Sequence, residues 1–195
     1  MEILIATKNI GKINEFKSMF EILGHNIKSL FDFPDIPDIE ETGTTFEENA
    51  IIKARELSKI TGKIVISDDS GLEVDALNGE PGVYSARYAG NFKNDEDNIS
   101  LVLEKLIDVP TEKRTARFVC VIAVAFPSGN IETFKGICEG IITTEKKGSE
   151  GFGYDPIMYI PKLDRTMAEL TKEEKNQISH RGNALRKMLD KMIFR

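Results

Sequence analysis

The chain has 195 residues, of which 41% are hydrophobic and 30% charged, and its 26 Lys+Arg against 32 Asp+Glu give a net charge of −6. These values are typical of one soluble globular domain and exclude a disordered chain, a collagen-like fibre and a coiled coil. The longest apolar run, residues 118–126, is far shorter than the roughly 20 residues that a membrane span requires. The first residues lack the basic segment of a signal peptide, and an acidic chain is ill suited to polymeric nucleic acid. We therefore expect a cytoplasmic protein that binds neither a membrane nor a polymeric nucleic acid.

The two cysteines, Cys120 and Cys138, lie inside apolar stretches and lack a CxxC spacing. This placement predicts buried thiols in a reducing compartment. Zinc is disfavoured, because only His25 and His180 are available to join two separated cysteines.

The first half of the chain alternates strands and helices. Residues 2–6 predict a strand, and a polar turn, residues 7–12, leads to apolar residues at helical spacing that end at Gly24. Thr44 and Thr45 each precede a glutamate by three residues, a doubled capping signal for a second helix that ends near Gly62. A strand over residues 63–67 is predicted to end at an acidic pair.

The second half adds antiparallel structure. Apolar residues 99–106 predict a third helix before Pro110, and residues 115–126 and 131–143 predict a long hairpin. A glycine-rich loop over residues 148–154 precedes a C-terminal amphipathic helix with Ser179 as its N-cap. Together these elements predict an α/β fold with a mixed sheet.

Common catalytic signatures are missing from the sequence: it contains no GxxxxGK[ST], GxSxG, HExxH or helix-opening GxGxxG motif. Two polar clusters at predicted strand ends remain. Residues 7–12 combine two lysines with a helix N-terminus, which suits a phosphate chain, although a solvated turn has the same pattern. The pair Asp68-Asp69 offers oxygen ligands for Mg²⁺ and a base for water, although an Asx-turn cap is the alternative.

Three further clusters carry weaker indications. Glu40 and Glu41 precede a helix, where they could bind a metal or simply complement the helix dipole. The segment 151–156 places aromatic residues between glycines, a pattern of a base-binding surface or of a plain turn. Lys175 and the run Ser179-His180-Arg181 gather basic groups before the last helix, although a lone histidine is more often structural.

The clusters occur together in an order that resembles the inosine triphosphate pyrophosphatase family. The matching segments are ATKNIGK (6–12), EETGTTFEENAIIKA (40–54), SDDSGLEVDALNGEPGVYSARYAG (67–90), GFGYDPI (151–157) and AELTKEEKNQISHRGNAL (168–185). The resemblance implies an elongated mixed β-sheet with flanking helices, in two lobes around a deep substrate cleft. It also implies one domain over residues 1–195 and a homodimer.

The resemblance also implies roles for individual residues. Asp69 would be the general base and, with Glu40, a ligand of Mg²⁺; Asp68 and Glu41 are further candidates for the metal. The expected substrate-binding residues are Thr7, Lys8, Asn9, Ile10, Gly11 and Lys12 for the triphosphate, Ser70, and Phe152, Gly153, Tyr154, Asp155, Lys175, His180 and Arg181 for base and sugar.

The implied reaction is Mg²⁺-dependent hydrolysis of dITP, ITP and XTP to the monophosphate and diphosphate. No Ser/His or Cys/His pairing is apparent, so direct attack by water is the simpler mechanism. Two other functions remain open from the residues: a nucleotide sensor without turnover, and a Mg²⁺-dependent diphosphatase acting on ordinary nucleotides or diphosphate sugars.

Overall fold

A computed structural model describes residues 2–20, 26–92 and 94–191. Within these ranges the strands are β1 (Glu2–Ile5), β2 (Asn26–Ser29), β3 (Ile64–Val74), β4 (Thr115–Ala125), β5 (Ile131–Ile142), β6 (Met158–Ile160) and β7 (Arg165–Thr166). The α-helices are α1 (Ile10–Phe20), α2 (Phe46–Thr61), α3 (Asp95–Lys105), α4 (Lys172–Ile178) and α5 (His180–Lys191). None of the described helices is long and apolar enough to cross a bilayer.

The strands form one sheet in the order β2-β1-β3-β4-β5-β6-β7. β1 runs parallel to β2 and to β3, whereas β6 is antiparallel to both β5 and β7. Strands β4 and β5 are neighbours joined by only five residues, too few for a parallel crossover, so they form the predicted hairpin. The α/β class and the mixed sheet are therefore confirmed.

Helix α2 shows how local sequence sets an element that supports the site. The Thr45 hydroxyl accepts the Glu48 N–H at 3.1 Å, and the Glu48 carboxylate accepts the Thr45 N–H at 3.2 Å. Gly62 ends the helix in the left-handed conformation at φ 66°, where a residue without Cβ is favoured. Ala50 and Ala54 are fully buried, so one face of α2 packs closely.

The chain divides into two compact units. Unit 1 comprises residues 1–69, 121–135 and 187–195, and unit 2 comprises residues 70–120 and 136–186. Unit 2 has a core of buried apolar side chains from β3, α3, β4 and β5, among them Leu72, Val102, Phe118 and Ile142. Cys120 and Cys138 are buried thiols, as predicted.

One predicted boundary is wrong. β3 does not end before the acidic pair but continues through Asp68 and Asp69 to Val74, because Leu72 and Val74 carry the buried alternation onward. The predicted C-terminal helix is α5, whereas the short helix α4, which ends just before Ser179, was not predicted. Ser179 does cap α5, since its Oγ accepts the Gly182 N–H at 3.1 Å. Gly24, the predicted end of the first helix, lies outside the described residues.

Candidate active site

In unit 1, the turn between β1 and α1 is shaped by its own side chains. The Thr7 hydroxyl accepts the Asn9 N–H, and the Asn9 side chain accepts the Lys12 N–H, each at 3.1 Å. α1 begins at Ile10, so its first backbone N–H groups have no intrahelical acceptor. The positive end of a helix and the Lys12 ammonium therefore coincide, an arrangement that suits a phosphate group.

Asp68 links this turn to strand β3. Its side chain is fully buried and lies 2.9 Å from the Lys12 ammonium, which is only 16% exposed. The Lys53 ammonium donates to the Asp68 backbone carbonyl at 2.7 Å. Two lysines from two different helices thus meet at one residue of the acidic pair.

Asp69 is the second acid of the pair and is 7% exposed. Its Oδ2 accepts the Asn49 side-chain amide at 3.1 Å, and Asn49 is itself held by the Gly43 N–H at 2.8 Å. Burial raises the pKa of Asp69 above its ordinary value, while the charges of Lys53 and Lys12 lower it in part. Asp69 is therefore a buried carboxylate that takes up a proton more readily than an exposed one does.

Lys53 joins the acidic groups of unit 1. Its ammonium lies 2.9 Å from Glu41 Oε1. Burial alone would lower the pKa of Lys53, but the charges of Asp69, Glu41 and Asp68 outweigh it, and the pKa is raised. Lys53 consequently remains a cation beside these three carboxylates.

Two other residues predicted for the site lie further out. Lys8 pairs with Asp38 at 2.6 Å, and both side chains are well exposed. Glu40 is exposed, whereas its neighbour Glu41 carries the ion pair with Lys53. The structure therefore connects Glu41, and not Glu40, to the acidic pair by a described contact.

In unit 2, the glycine-rich loop and helix α4 form a second cluster. The Lys175 ammonium lies 2.6 Å from Asp155 Oδ2, and both side chains are buried. The same carboxylate oxygen accepts the Phe152 N–H at 3.0 Å. The Lys175 ammonium is also 4.7 Å from the centre of the Phe152 ring. Phe152 is thereby held beside a cation that lies over its ring.

The first turn of α5 contributes the remaining groups. Arg181, only 1% exposed, donates from Nη2 to the Ser70 hydroxyl at 2.9 Å, and its guanidinium lies 5.9 Å from the Phe152 ring. The His180 ring stacks on Phe118 at 4.9 Å. A methyl group at Gly136 of β5 would meet the His180 carbonyl at 2.0 Å, so the glycine allows this turn to pack closely on the strand.

The loop backbone is already engaged at several points. Phe152 N–H donates to Asp155, Gly153 N–H to Asp95 Oδ2 at 2.8 Å, and Asp155 N–H to the Phe152 carbonyl at 3.4 Å. The Tyr154 hydroxyl is buried and donates to the Ser85 carbonyl at 2.7 Å. The Tyr154 side chain therefore anchors the loop.

Comparison with known proteins bears on these two clusters. A profile of the Ham1 family matches residues 3–191. The chain belongs to the Ham1 family. A dITP/XTP pyrophosphatase from Bacillus cereus is 55% identical over 98% of this chain and 94% of its own, and one from Halalkalibacterium halodurans is 56% identical over 98% of each. The predicted family is therefore confirmed.

Solved Ham1 structures share the fold along nearly the whole chain. The Ham1 protein of Staphylococcus aureus superposes with a TM-score of 0.87 at 53% identity, covering 97% of each chain. That of Coxiella burnetii gives a TM-score of 0.88 at 46% identity, covering 96% of each.

Sequence reasoning assigned no role to Asn49 and Lys53 of this Ham1 protein. They lie four residues apart on α2, beside the buried Ala50 and Ala54. Residues at this spacing share a helix face. Asn49 and Lys53 on an otherwise apolar helix face therefore indicated that this face packs against a polar site.

The carboxylates at this site fit Mg²⁺, an ion that takes few of its ligands from the protein. Across the ranges that the structure covers, no three carboxylate, imidazole or thiolate groups are close enough to enclose a metal. Mg²⁺ instead keeps water and substrate phosphate oxygens beside one or two carboxylates. Asp69 supplies such a carboxylate, and because burial raises its pKa, a cation would favour its ionised form.

Proposed function

We propose that this Ham1-family protein hydrolyses non-standard purine nucleoside triphosphates, dITP, ITP and XTP, to the nucleoside monophosphate and diphosphate. The observation that carries the proposal is the buried carboxylate of Asp69. Burial raises its pKa, and the positive charges of Lys53 and Lys12 lower that pKa in part. Further support comes from the two dITP/XTP pyrophosphatases named above, which match the chain over nearly their full length.

Unit 1 is proposed to act on the phosphates. The N-terminus of α1 and Lys12 bind the triphosphate, with Thr7 and Asn9 shaping the turn. Asp69 accepts a proton from a water molecule; the water oxygen bonds to phosphorus, the α–β anhydride bond breaks, and diphosphate leaves with the electron pair. A carboxylate with a raised pKa is a stronger base than an ordinary one, which favours this proton transfer.

A bound Mg²⁺ would be held by Asp69, with Glu41, Asp68 or Glu40 as candidates for a second carboxylate, and it would neutralise charge on the phosphates. Lys53 and Asn49 hold the carboxylates in place. Asn49 donates to Asp69, and Lys53 binds Glu41 and the Asp68 backbone. The chain's own cations thus balance its buried acids before the substrate arrives.

Unit 2 is proposed to recognise the base and sugar. Hypoxanthine and xanthine present a 6-oxo acceptor and a protonated N1, whereas adenine presents a 6-amino donor. Lys175, His180 and Arg181 are the donors proposed for the 6-oxo group, with the Phe152 ring against the base. An adenine amino group would face these donors unpaired, a mismatch that can cost a factor of about 10⁴.

The whole chain is proposed to act as one pyrophosphatase domain, in the cytoplasm and as a homodimer. The family profile covers both units, and Phe92 and Ile107 expose apolar side chains that a second copy could bury. Light scattering tests the dimer directly: a mass near twice 21.8 kDa is expected, and a monomer at micromolar concentration contradicts it.

The function is tested by identifying the products. Purified protein is incubated with ITP and MgCl₂, and the nucleotides and phosphates are separated by ion-exchange chromatography. IMP and diphosphate in equal amounts, formed only when Mg²⁺ is present, are expected. IDP with phosphate would contradict the proposed bond cleavage, and binding of ITP without turnover would favour the nucleotide sensor.

A further inference from the structure

The first turn of α3 holds the loop that carries Phe152. Asp95 is the first residue of α3, and its Oδ2 accepts the Gly153 N–H at 2.8 Å. The next residue, Glu96, forms an ion pair with Lys146, two residues before the same loop. Two consecutive side chains of one helix thus contact the segment just before the loop and the loop backbone at Gly153.

The helix end that presents Asp95 is well fixed. The Asn94 side chain caps it by accepting the Glu96 N–H at 2.9 Å. Asn98, one turn later, is buried and accepts the Ala89 N–H at 2.7 Å. Ile99 and Val102 are buried in the core of unit 2. Because this end of α3 is fixed, a hydrogen bond to Asp95 can hold the loop backbone in one position.

The loop needs such an acceptor around Phe152. Gly151 and Gly153 flank the ring at φ 81° and 60°, in the left-handed region that glycine populates freely. On one side of Phe152, its own N–H is held by Asp155. On the other, the Phe152–Gly153 peptide is held by Asp95. The two bonds fix both peptide planes that set the direction of the ring.

We propose that Asp95 is a positioning residue for base recognition, which acts by orienting the Phe152–Gly153 peptide. The inference rests on the proposed function, because it assigns the Phe152 ring to the base. Asp95 does not touch the substrate in this account. Its contribution is confined to ligands that carry a base, and it depends on an acceptor oxygen rather than on negative charge.

Three variants separate these features. Asp95→Ala removes the acceptor, whereas Asp95→Asn removes the charge but keeps an amide oxygen. Asp97→Ala is the matched control, since Asp97 is an exposed acid of the same helical turn. Each is measured for KM and kcat on ITP, for the Kd of IMP by calorimetry, and for inhibition by tripolyphosphate, which has no base.

Asp95→Ala should raise the KM for ITP and the Kd for IMP about 3- to 10-fold, the range for one ordinary hydrogen bond, because the negative charge is not required. Its kcat and its tripolyphosphate inhibition should stay within about twofold of wild type, and Asp95→Asn and Asp97→Ala should both behave like wild type. Hydrogen exchange should also accelerate at the Gly153 amide in Asp95→Ala only, a readout independent of turnover.

Three results would overturn the proposal: an unchanged KM and Kd in Asp95→Ala, an equal loss in Asp95→Asn, or a parallel loss of tripolyphosphate inhibition. The wild-type protein in the same assay separates this from the proposed function. Active wild type with an unaffected Asp95→Ala removes the role of Asp95 alone. Wild type that neither hydrolyses ITP nor binds IMP removes both.

Discussion

Lys12 and Lys8 stand four residues apart in one turn and should respond very differently to removal. Lys12 pairs with the fully buried Asp68, whereas Lys8 pairs with Asp38, whose side chain is 82% exposed. Breaking a buried pair by removing one partner costs about 3–5 kcal/mol, and an exposed pair is worth about 0–1 kcal/mol. For a chain of this size, Lys12→Ala should lower Tm by roughly 6–20 °C and Lys8→Ala by at most about 4 °C.

Lys12→Ala should also reduce kcat/KM for ITP by about one to two decades, because a charge-assisted contact to phosphate is worth roughly 1.5–3 kcal/mol. The affinity for IMP should change little if Lys12 lies on the outer phosphates. Scanning calorimetry and steady-state kinetics on the two single variants measure both effects.

The double variant Lys12→Ala/Asp68→Asn separates stability from catalysis. Asparagine leaves no buried charge without its cation, so most of the lost Tm should return, while kcat/KM should stay low. Two results would contradict the role given to Lys12: a Tm in Lys12→Ala like that of Lys8→Ala, or recovery of activity together with stability in the double variant.

Three further predictions follow from single sites. Burial raises the pKa of Asp69 in the folded chain, so the folded state loses stability as the pH rises from the ordinary pKa of an aspartate through the raised one. Asp69→Asn should therefore hold or raise Tm without Mg²⁺, while kcat falls about 10²–10⁴. Near-wild-type turnover would contradict the role of Asp69 as the base. Burial raises the pKa of Cys138 to about 11, so iodoacetamide at pH 7.5 should label it only after unfolding, as mass spectrometry would show. Gly151→Ala should raise the KM for ITP more than Gly129→Ala does. Both glycines have φ above 80°, but only at Gly151 would an added Cβ meet the Asp155 carboxylate, at 2.1 Å. Equal effects on KM would assign the loss to backbone strain.

Much of the fold was predictable because local rules agreed with the tertiary structure. The Thr45 capping box, the Gly62 C-cap and the hairpin each depend on residues close in sequence. The end of β3 was not predictable in this way. Polar residues 67–70 look like a turn, yet they continue a strand because later residues, Leu72 and Val74, are buried.

The sequence indicated which acidic and basic residues are candidates for the site, but not which of them form ion pairs with one another. The polar turn contains both Lys8 and Lys12, and only the fold shows that Lys12 is the one that reaches Asp68. The contact between Asp95 and Gly153 joins residues 58 positions apart, which no local pattern indicates.

The central claim, that the protein selects purine triphosphates by a 6-oxo group, is tested most directly by the ratio of kcat/KM for ITP to that for ATP. We expect a ratio of at least about 10², with GTP between the two and dITP within about tenfold of ITP, since the proposed donors meet the base and not the 2′-hydroxyl. Comparable kcat/KM for ATP and ITP would contradict base recognition by Lys175, His180 and Arg181 and would favour a general diphosphatase.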